Sequence, residues 1–159
     1  MTTERLKLRH SFMVGGEDNA QKLLSGCDTV RAKYKKRPFF LIVDSLQCMS
    51  DGHFSTGRIT TATAERSLQM FTSYAKEHAC NVIVIGQVNK DGKMAGSNKL
   101  KHMVDSHIHL SVETKDEDLK GCRILVTQKN RFGGSGHVIF LGLQNTGFTE
   151  VARISESGV

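Results

Sequence analysis

The chain has 159 residues, 38% hydrophobic and 24% charged, with a formal charge of +6, the balance of one soluble domain large enough to bury a core. No run approaches the ~20 consecutive apolar residues of a membrane span. Met1-Thr2-Thr3-Glu4-Arg5 lacks the apolar centre of a signal peptide, so a cytoplasmic protein with no membrane partner is expected.

Residues 3–9 are short, charged and weakly amphipathic, and residues 11–14 read as a brief strand before Gly15-Gly16. Asp18-Asn19 can cap a helix that passes through Leu23-Leu24 and residues 30–34. Lys33, Lys35, Lys36 and Arg37 crowd its end, where a helix dipole favours positive charge, and Pro38 stops it. Residues 39–43 are five consecutive apolar positions, the pattern of a strand buried on both faces. Residues 58–78 set Ala64, Leu68, Phe71 and Ala75 at helical spacing and leave Glu65, Arg66, Lys76 and Glu77 for water. A second apolar run, residues 82–85, ends in Gly86-Gln87. Strand, long helix and strand make a right-handed parallel crossover, so the fold class is α/β.

Residues 89–99 are rich in glycine and lysine and read as a mobile loop. A short helix, residues 100–104, and a strand, residues 107–112, follow, then a polar turn at residues 116–120. Strands at residues 123–128 and 137–143 flank Gly133-Gly134-Ser135-Gly136 as a hairpin, with a last short strand at residues 148–152. No repeat or second domain is evident. The four cysteines, Cys27, Cys48, Cys80 and Cys122, form no C-x-x-C pair. They read as reduced, mostly buried thiols rather than as a zinc ribbon or a disulfide framework.

Asp44 stands where a buried parallel strand ends, on the edge of an open α/β sheet that binds ligands. There it orders magnesium with Ser45 in support, or it simply caps the turn. Gln87 comes to the same edge, either as an amide that senses a phosphate or as an ordinary polar loop residue. Lys129 and Arg131, one residue apart at a strand end, are expected to point to the same side. A planar fork and a point charge so placed can neutralise a phosphoryl group; a solvated basic face is the alternative. The excess of positive charge favours a polyanionic partner. His102, His107, His109 and Cys122 lie within a short span, and the first two strand histidines share a face, as zinc ligands do, but no further ligand has fitting spacing. No phosphate-cradling G-x-x-x-x-G-K-[ST] loop occurs anywhere in the chain.

Five segments, residues 40–47, 84–92, 94–96, 102–105 and 129–133, resemble in order and spacing the RadA/Sms branch of the RecA-like ATPases. The last, Lys129-Asn130-Arg131-Phe132-Gly133, looks like the hallmark of that branch. The resemblance covers nearly the whole chain. It implies a RecA-like three-layer sandwich with a mostly parallel sheet and a C-terminal β-hairpin, and ATP and magnesium as cofactors. By the same resemblance Asp44 is the Walker B aspartate. Lys129 and Arg131 reach the nucleotide of an adjacent protomer, in a homo-oligomeric ring or filament joined through residues 129–133. Gln87 resembles the glutamine that links the γ-phosphate to a DNA-binding loop, although RadA itself usually has His there. Loops at residues 49–58 and 89–101 correspond to the two DNA-facing loops. Arg58, Lys90, Lys93, Lys99 and Lys101 are thus the expected contacts to single-stranded or branched DNA, and Phe54 is a candidate to stack on a base. Lys101 stands where the family commonly carries Glu.

The chain also departs from the pattern. RadA normally has a four-cysteine zinc module, a Walker A loop, a Ser-Gly-Glu-Glu segment with the catalytic glutamate, and a Lon-protease-like domain, and none of these matches here. Residues 1–159 therefore look like a partial ATPase domain truncated on its N-terminal side. Without the Walker A strand, the strand at residues 82–85 keeps unpaired backbone groups. Another chain fills that edge, the strand at residues 107–112 closes it, or the protein aggregates. The expected function is part of a DNA-dependent ATPase of DNA repair and recombination, hydrolytic only when the missing half is supplied. The alternative is a non-catalytic RecA-fold module that binds single-stranded DNA or mediates oligomerisation.

Overall fold

In the computed structural model, which describes residues 13–35, 37–52, 59–88 and 97–155, the chain divides into two units, Met1–Ser97 and Asn98–Val159. The chain as a whole is of the α/β class: the first unit holds a parallel strand pair, the second a four-stranded antiparallel sheet. The residue 3–9 segment lies outside the described residues. Of the strand expected at residues 11–14, Met13 and Val14 are described; they are exposed and in no strand.

In the first unit, Asn19 caps helix α1 (Ala20–Lys33) by accepting the Lys22 backbone N–H at 3.1 Å. The helix closes at Tyr34, with Arg31 and Lys33 in its last turn, before Pro38. Strand β1 (Phe40–Asp44) leads through a 3-10 turn (Leu46–Cys48) towards helix α2 (Thr61–Glu77). Thr60 and Thr63 open α2 with a reciprocal capping box. Strand β2 (Asn81–Ile85) then pairs in parallel with β1, from Phe40 opposite Asn81 to Asp44 opposite Ile85.

The core of this unit follows from the helical stripe of α2. Ala64, Leu68 and Phe71 are buried as expected, joined by Ser67 and Tyr74, while Ala75 is only half-buried. The helix packs on β2, the 3-10 turn and α1. Leu41 and Val43 of β1 are buried beside Leu46 and Met49. A polar cluster fastens α1 to α2. The Tyr74 hydroxyl donates to Asp28 Oδ1 at 2.8 Å, and Arg31 donates to the Tyr74 hydroxyl and the His78 carbonyl, each at 3.5 Å. Burial, reinforced by Asp28, pushes the Tyr74 phenol up to about 12, against the pull of Arg31.

Three expectations need correction here. Phe40 and Ile42 are 60% and 56% exposed, so β1 is buried on one face and not on both. β2 is open on one face, at Ile83 and Ile85, and only half-buried on the other, at Val82 and Val84. Burial of the second face needs a second layer, and no described element supplies one. Arg66, expected in water, makes an ion pair with Asp51, which is 1% exposed. Of the four free cysteines only Cys27 is buried, and Cys48 is exposed.

The second unit opens with helix α3 (Ser97–Met103), three residues ahead of the expected start. Strands β3 (Ser106–Val112), β4 (Arg123–Asn130), β5 (Val138–Gln144) and β6 (Gly147–Ile154) follow as an antiparallel meander in chain order. The expected hairpin is β4–β5, and β6 extends it because Phe148 to Ala152 is only part of a longer pairing segment. Gly147, at φ +127°, takes the tight β5–β6 turn where a side chain would be strained. β3 pairs with β4, and β2 with β1 alone. Closure of the β2 edge by the strand at residues 107–112 is therefore not found among the described strands.

Candidate functional site

Asp44 is the last residue of β1 and is exposed at the carboxyl end of the parallel pair, opposite Ile85. The Asp44–Ser45 peptide is cis. Ser45 is buried, its hydroxyl 3.5 Å from the Cys48 thiol, so it faces the 3-10 turn. That turn delivers a residue to which the sequence reading assigned no role, Gln47. Its Oε1 accepts the Gln87 backbone N–H at 3.1 Å and its Nε2 donates to the Gln87 carbonyl at 2.9 Å. A side-chain amide thus copies the pattern of a neighbouring strand and continues the β1–β2 ladder past Ile85. The available signal was an amide three residues beyond Asp44, able to pair only once the two strands lie side by side. The result is an exposed carboxylate next to a main chain held in a fixed position. Such an edge suits a divalent cation that keeps several waters.

The second candidate cluster lies in the second unit, at the end of β4. The side chains of Lys129 and Arg131 both reach residues 101–105, at and just after the end of α3. β3 and β4 pair with a bulge between His107 and Ile108, which sets Lys129 across from His107 where regular pairing would set Gln128. Lys129 is turned towards α3. Its Nζ donates to the carbonyls of Lys101, His102 and Val104 at 3.1, 3.3 and 2.7 Å. An ammonium has three N–H groups, so the cap on the helix C-terminus takes all of them. Arg131 lies beyond the strand. Its Nη1 pairs with Asp105 Oδ1 at 2.6 Å, its backbone N–H donates to the Asp105 carbonyl at 2.9 Å, and its side chain is 50% exposed.

The rest of the pentapeptide builds the turn. Asn130 Oδ1 accepts the Phe132 N–H at 3.3 Å, and its Nδ2 donates to the Gly134 carbonyl at 3.4 Å. A Cβ on Gly133 would stand 2.8 Å from that same Nδ2, so this position has no room for a side chain while the bonds persist. Phe132 projects outward, 82% exposed. Across the ladder, His107 has a buried Nδ1 with no hydrogen-bond partner among the described residues. Burial pushes its pKa down, and the positive neighbours Lys101, His109 and Lys129 push the same way.

Of the expected DNA contacts, Arg58, Lys90 and Lys93 lie outside the described residues, as does Phe54. Lys99 is exposed on α3, and Lys101 is half-buried there. Asp51, at the head of the first loop, is anchored to Arg66. His107 and His109 share the half-buried face of β3, but among the described residues no group of three or more His, Cys, Asp or Glu could hold a metal. No described helix is long and apolar enough to cross a membrane.

No protein-family model matches the chain. Individual relatives do. The DNA repair protein RadA of Brucella abortus is 33% identical over 121 residues, 76% of this chain and 25% of that protein. RadA of Streptococcus pneumoniae is 30% identical over 158 residues, 98% of this chain and 35% of the relative. RadA of Aquifex aeolicus is 26% identical over 145 residues, 91% and 30% of the two chains. The chain thus spans about a third or less of the length of the curated relatives it matches. It is a relative of the RadA family of DNA repair proteins.

Proposed function

We propose that the chain is part of a RadA-like, DNA-dependent ATPase acting in DNA repair and recombination in the cytoplasm. In this reading its two units contribute to a RecA-like three-layer core with a mostly parallel sheet. The observation that carries the reading is Asp44, exposed at the carboxyl end of a parallel strand, with the Gln87 main chain held beside it by Gln47. The open apolar face of Phe40, Ile42, Ile83 and Ile85 supports it further, because parallel sheets are covered on both sides when complete. A phosphate-cradling segment supplied in cis or by another polypeptide would provide that cover.

The residues fit a magnesium-bound nucleotide. Magnesium in such sites takes one or two carboxylates and completes its shell with water and phosphate oxygens, and Asp44 is an exposed carboxylate on the correct edge. When bound, the ion neutralises phosphate charge. Asp44 holds the shell, while Ser45 supports it little because its hydroxyl meets Cys48. Gln87, its backbone fixed, offers a side-chain amide to the phosphate side of the edge. Arg131 meets the phosphates of the neighbouring protomer in a ring or filament, where a cation stabilises charge that develops on the phosphoryl oxygens, and Lys129 joins it only on releasing carbonyls at the end of α3. Lys99 and Lys101, with Arg58, Lys90 and Lys93, neutralise the backbone of single-stranded or branched DNA.

The chain combined with the Walker A portion of a RadA relative tests this. DNA-stimulated ATP hydrolysis is expected, abolished by Arg131→Ala with nucleotide binding intact; wild-type turnover in that variant contradicts the assignment. One observation favours a second reading. The N–H groups of Lys129 are committed to carbonyls of its own chain, as in a purely structural cation. The chain would then be a non-catalytic RecA-fold module that binds single-stranded DNA or mediates oligomerisation, with binding insensitive to nucleotide and to Asp44→Ala.

A further inference from the structure

We infer that Asp105 is the positioning residue of Arg131, an inference that rests on the reading of Arg131 as a phosphate contact and names what aims it. Arginine has many rotamers, and a cation that must meet a phosphoryl group on another subunit gains from being held in one of them beforehand. Arg131 is held at both ends. The backbone N–H of Arg131 donates to the Asp105 carbonyl at 2.9 Å, and Nη1 meets Asp105 Oδ1 at 2.6 Å. A single Nη carries the carboxylate contact, while the side chain stays 50% exposed. One prong of the fork meets the carboxylate, and half of the side chain remains open to a further anion.

Asp105 is itself well placed to act as a guide. It follows α3 directly, in a segment stitched to the end of β4 by the three Lys129 bonds and by Ser106 Oγ, which donates to the Lys129 carbonyl at 3.3 Å. The Arg131 guanidinium is thereby referenced to the C-terminus of α3, the helix that carries Lys99 and Lys101. Asp105 touches neither phosphate nor metal in this account; it acts through Arg131.

The test uses the full chain with Asp105→Ala and Asp105→Glu. The main-chain bond survives both substitutions, and a well-dispersed amide spectrum confirms that each variant folds. In the wild type the Arg131 Nε–H is expected to be rigid on the ps–ns timescale. In Asp105→Ala its order parameter should fall to about 0.6 or less, and Asp105→Glu should restore it in part. An unchanged order parameter in Asp105→Ala overturns the inference. A second arm measures DNA-stimulated hydrolysis with the Walker A portion added. Asp105→Ala is expected to lower kcat about ten-fold at constant KM, with partial rescue by Asp105→Glu. If Arg131→Ala abolishes turnover but Asp105→Ala leaves it intact, positioning by Asp105 is refuted. If Arg131→Ala turns over normally, the phosphate reading fails instead, and the order parameter alone decides whether Asp105 orients the side chain.

Discussion

Lys129→Met keeps an apolar stem that ends in a methyl group where Lys has Cε, and deletes three hydrogen bonds, at 3.1, 3.3 and 2.7 Å, to the end of α3. That helix has 7 residues, well below the ~12–15 that an isolated helix needs in water, so its persistence depends on tertiary ties. Hydrogen bonds that involve a charged group contribute about 1.5–3 kcal/mol in net terms. Lys129 is only half-buried, so the lower end, about 1.5 kcal/mol, applies to the cap as a whole. That corresponds to roughly a ten-fold rise in local opening of α3. Amide hydrogen exchange across residues 98–104 reads this directly, with the β4–β5 amides as an internal control. Lys129→Gln, which keeps a donor but not the charge, should fall between the two. Equal protection of α3 in wild type and Lys129→Met would refute the cap and return the ammonium to solvent.

Gln47→Ala should raise exchange at the Gln87 N–H about five-fold, since one exposed hydrogen bond contributes about 1 kcal/mol; unaltered exchange would contradict the clasp. Gln47→Glu should protect that N–H only in part, because a carboxylate still accepts it but turns an acceptor towards the Gln87 carbonyl. Arg66→Ala should destabilise the first unit by about 1–2 kcal/mol, as it strips a charged partner from the buried Asp51. A urea midpoint equal to the wild type would exclude that contribution. The depressed pKa of His107, caused first by burial and then by Lys101, His109 and Lys129, means the unfolded chain binds a proton more readily than the folded one. Its stabilising contribution is complete above the unfolded value of about 6.5 and declines as pH falls below it. His107→Asn should flatten the stability profile in that acid window, and an identical slope in the variant would argue against a buried, neutral imidazole.

The crossover β1–α2–β2 was legible because each signal is local: an apolar run stopped by Asp44, a helical stripe and a second apolar run. The same locality explains the error over β1. An apolar residue at every position tells that both faces can be covered, not that the covering layer belongs to this chain. Phe40 and Ile42 are apolar yet exposed, with no described element over them. The engagement of Lys129 and Arg131 with their own chain was not legible for another reason. Strand alternation tells which side a residue faces, not that residues 101–105 stand there to accept from Lys129 and to pair with Arg131. Asp44, by contrast, lies where expected, because a strand end is defined by its own residues. Gln47 and Asp105 passed without assigned roles since their partners, Gln87 and Arg131, are brought to them only by tertiary pairing.

In the proposed assembly, Asp44 and Arg131 serve one nucleotide from opposite sides of a subunit boundary. Asp44→Ala and Arg131→Ala proteins, each assembled with the Walker A portion, should be inactive alone. Mixed in equal amounts they should regain DNA-stimulated hydrolysis, because about a quarter of the heterologous interfaces in random assemblies join an intact Asp44 to an intact Arg131. A mixture that stays as inactive as its components, while still assembling and binding nucleotide, would contradict a shared site.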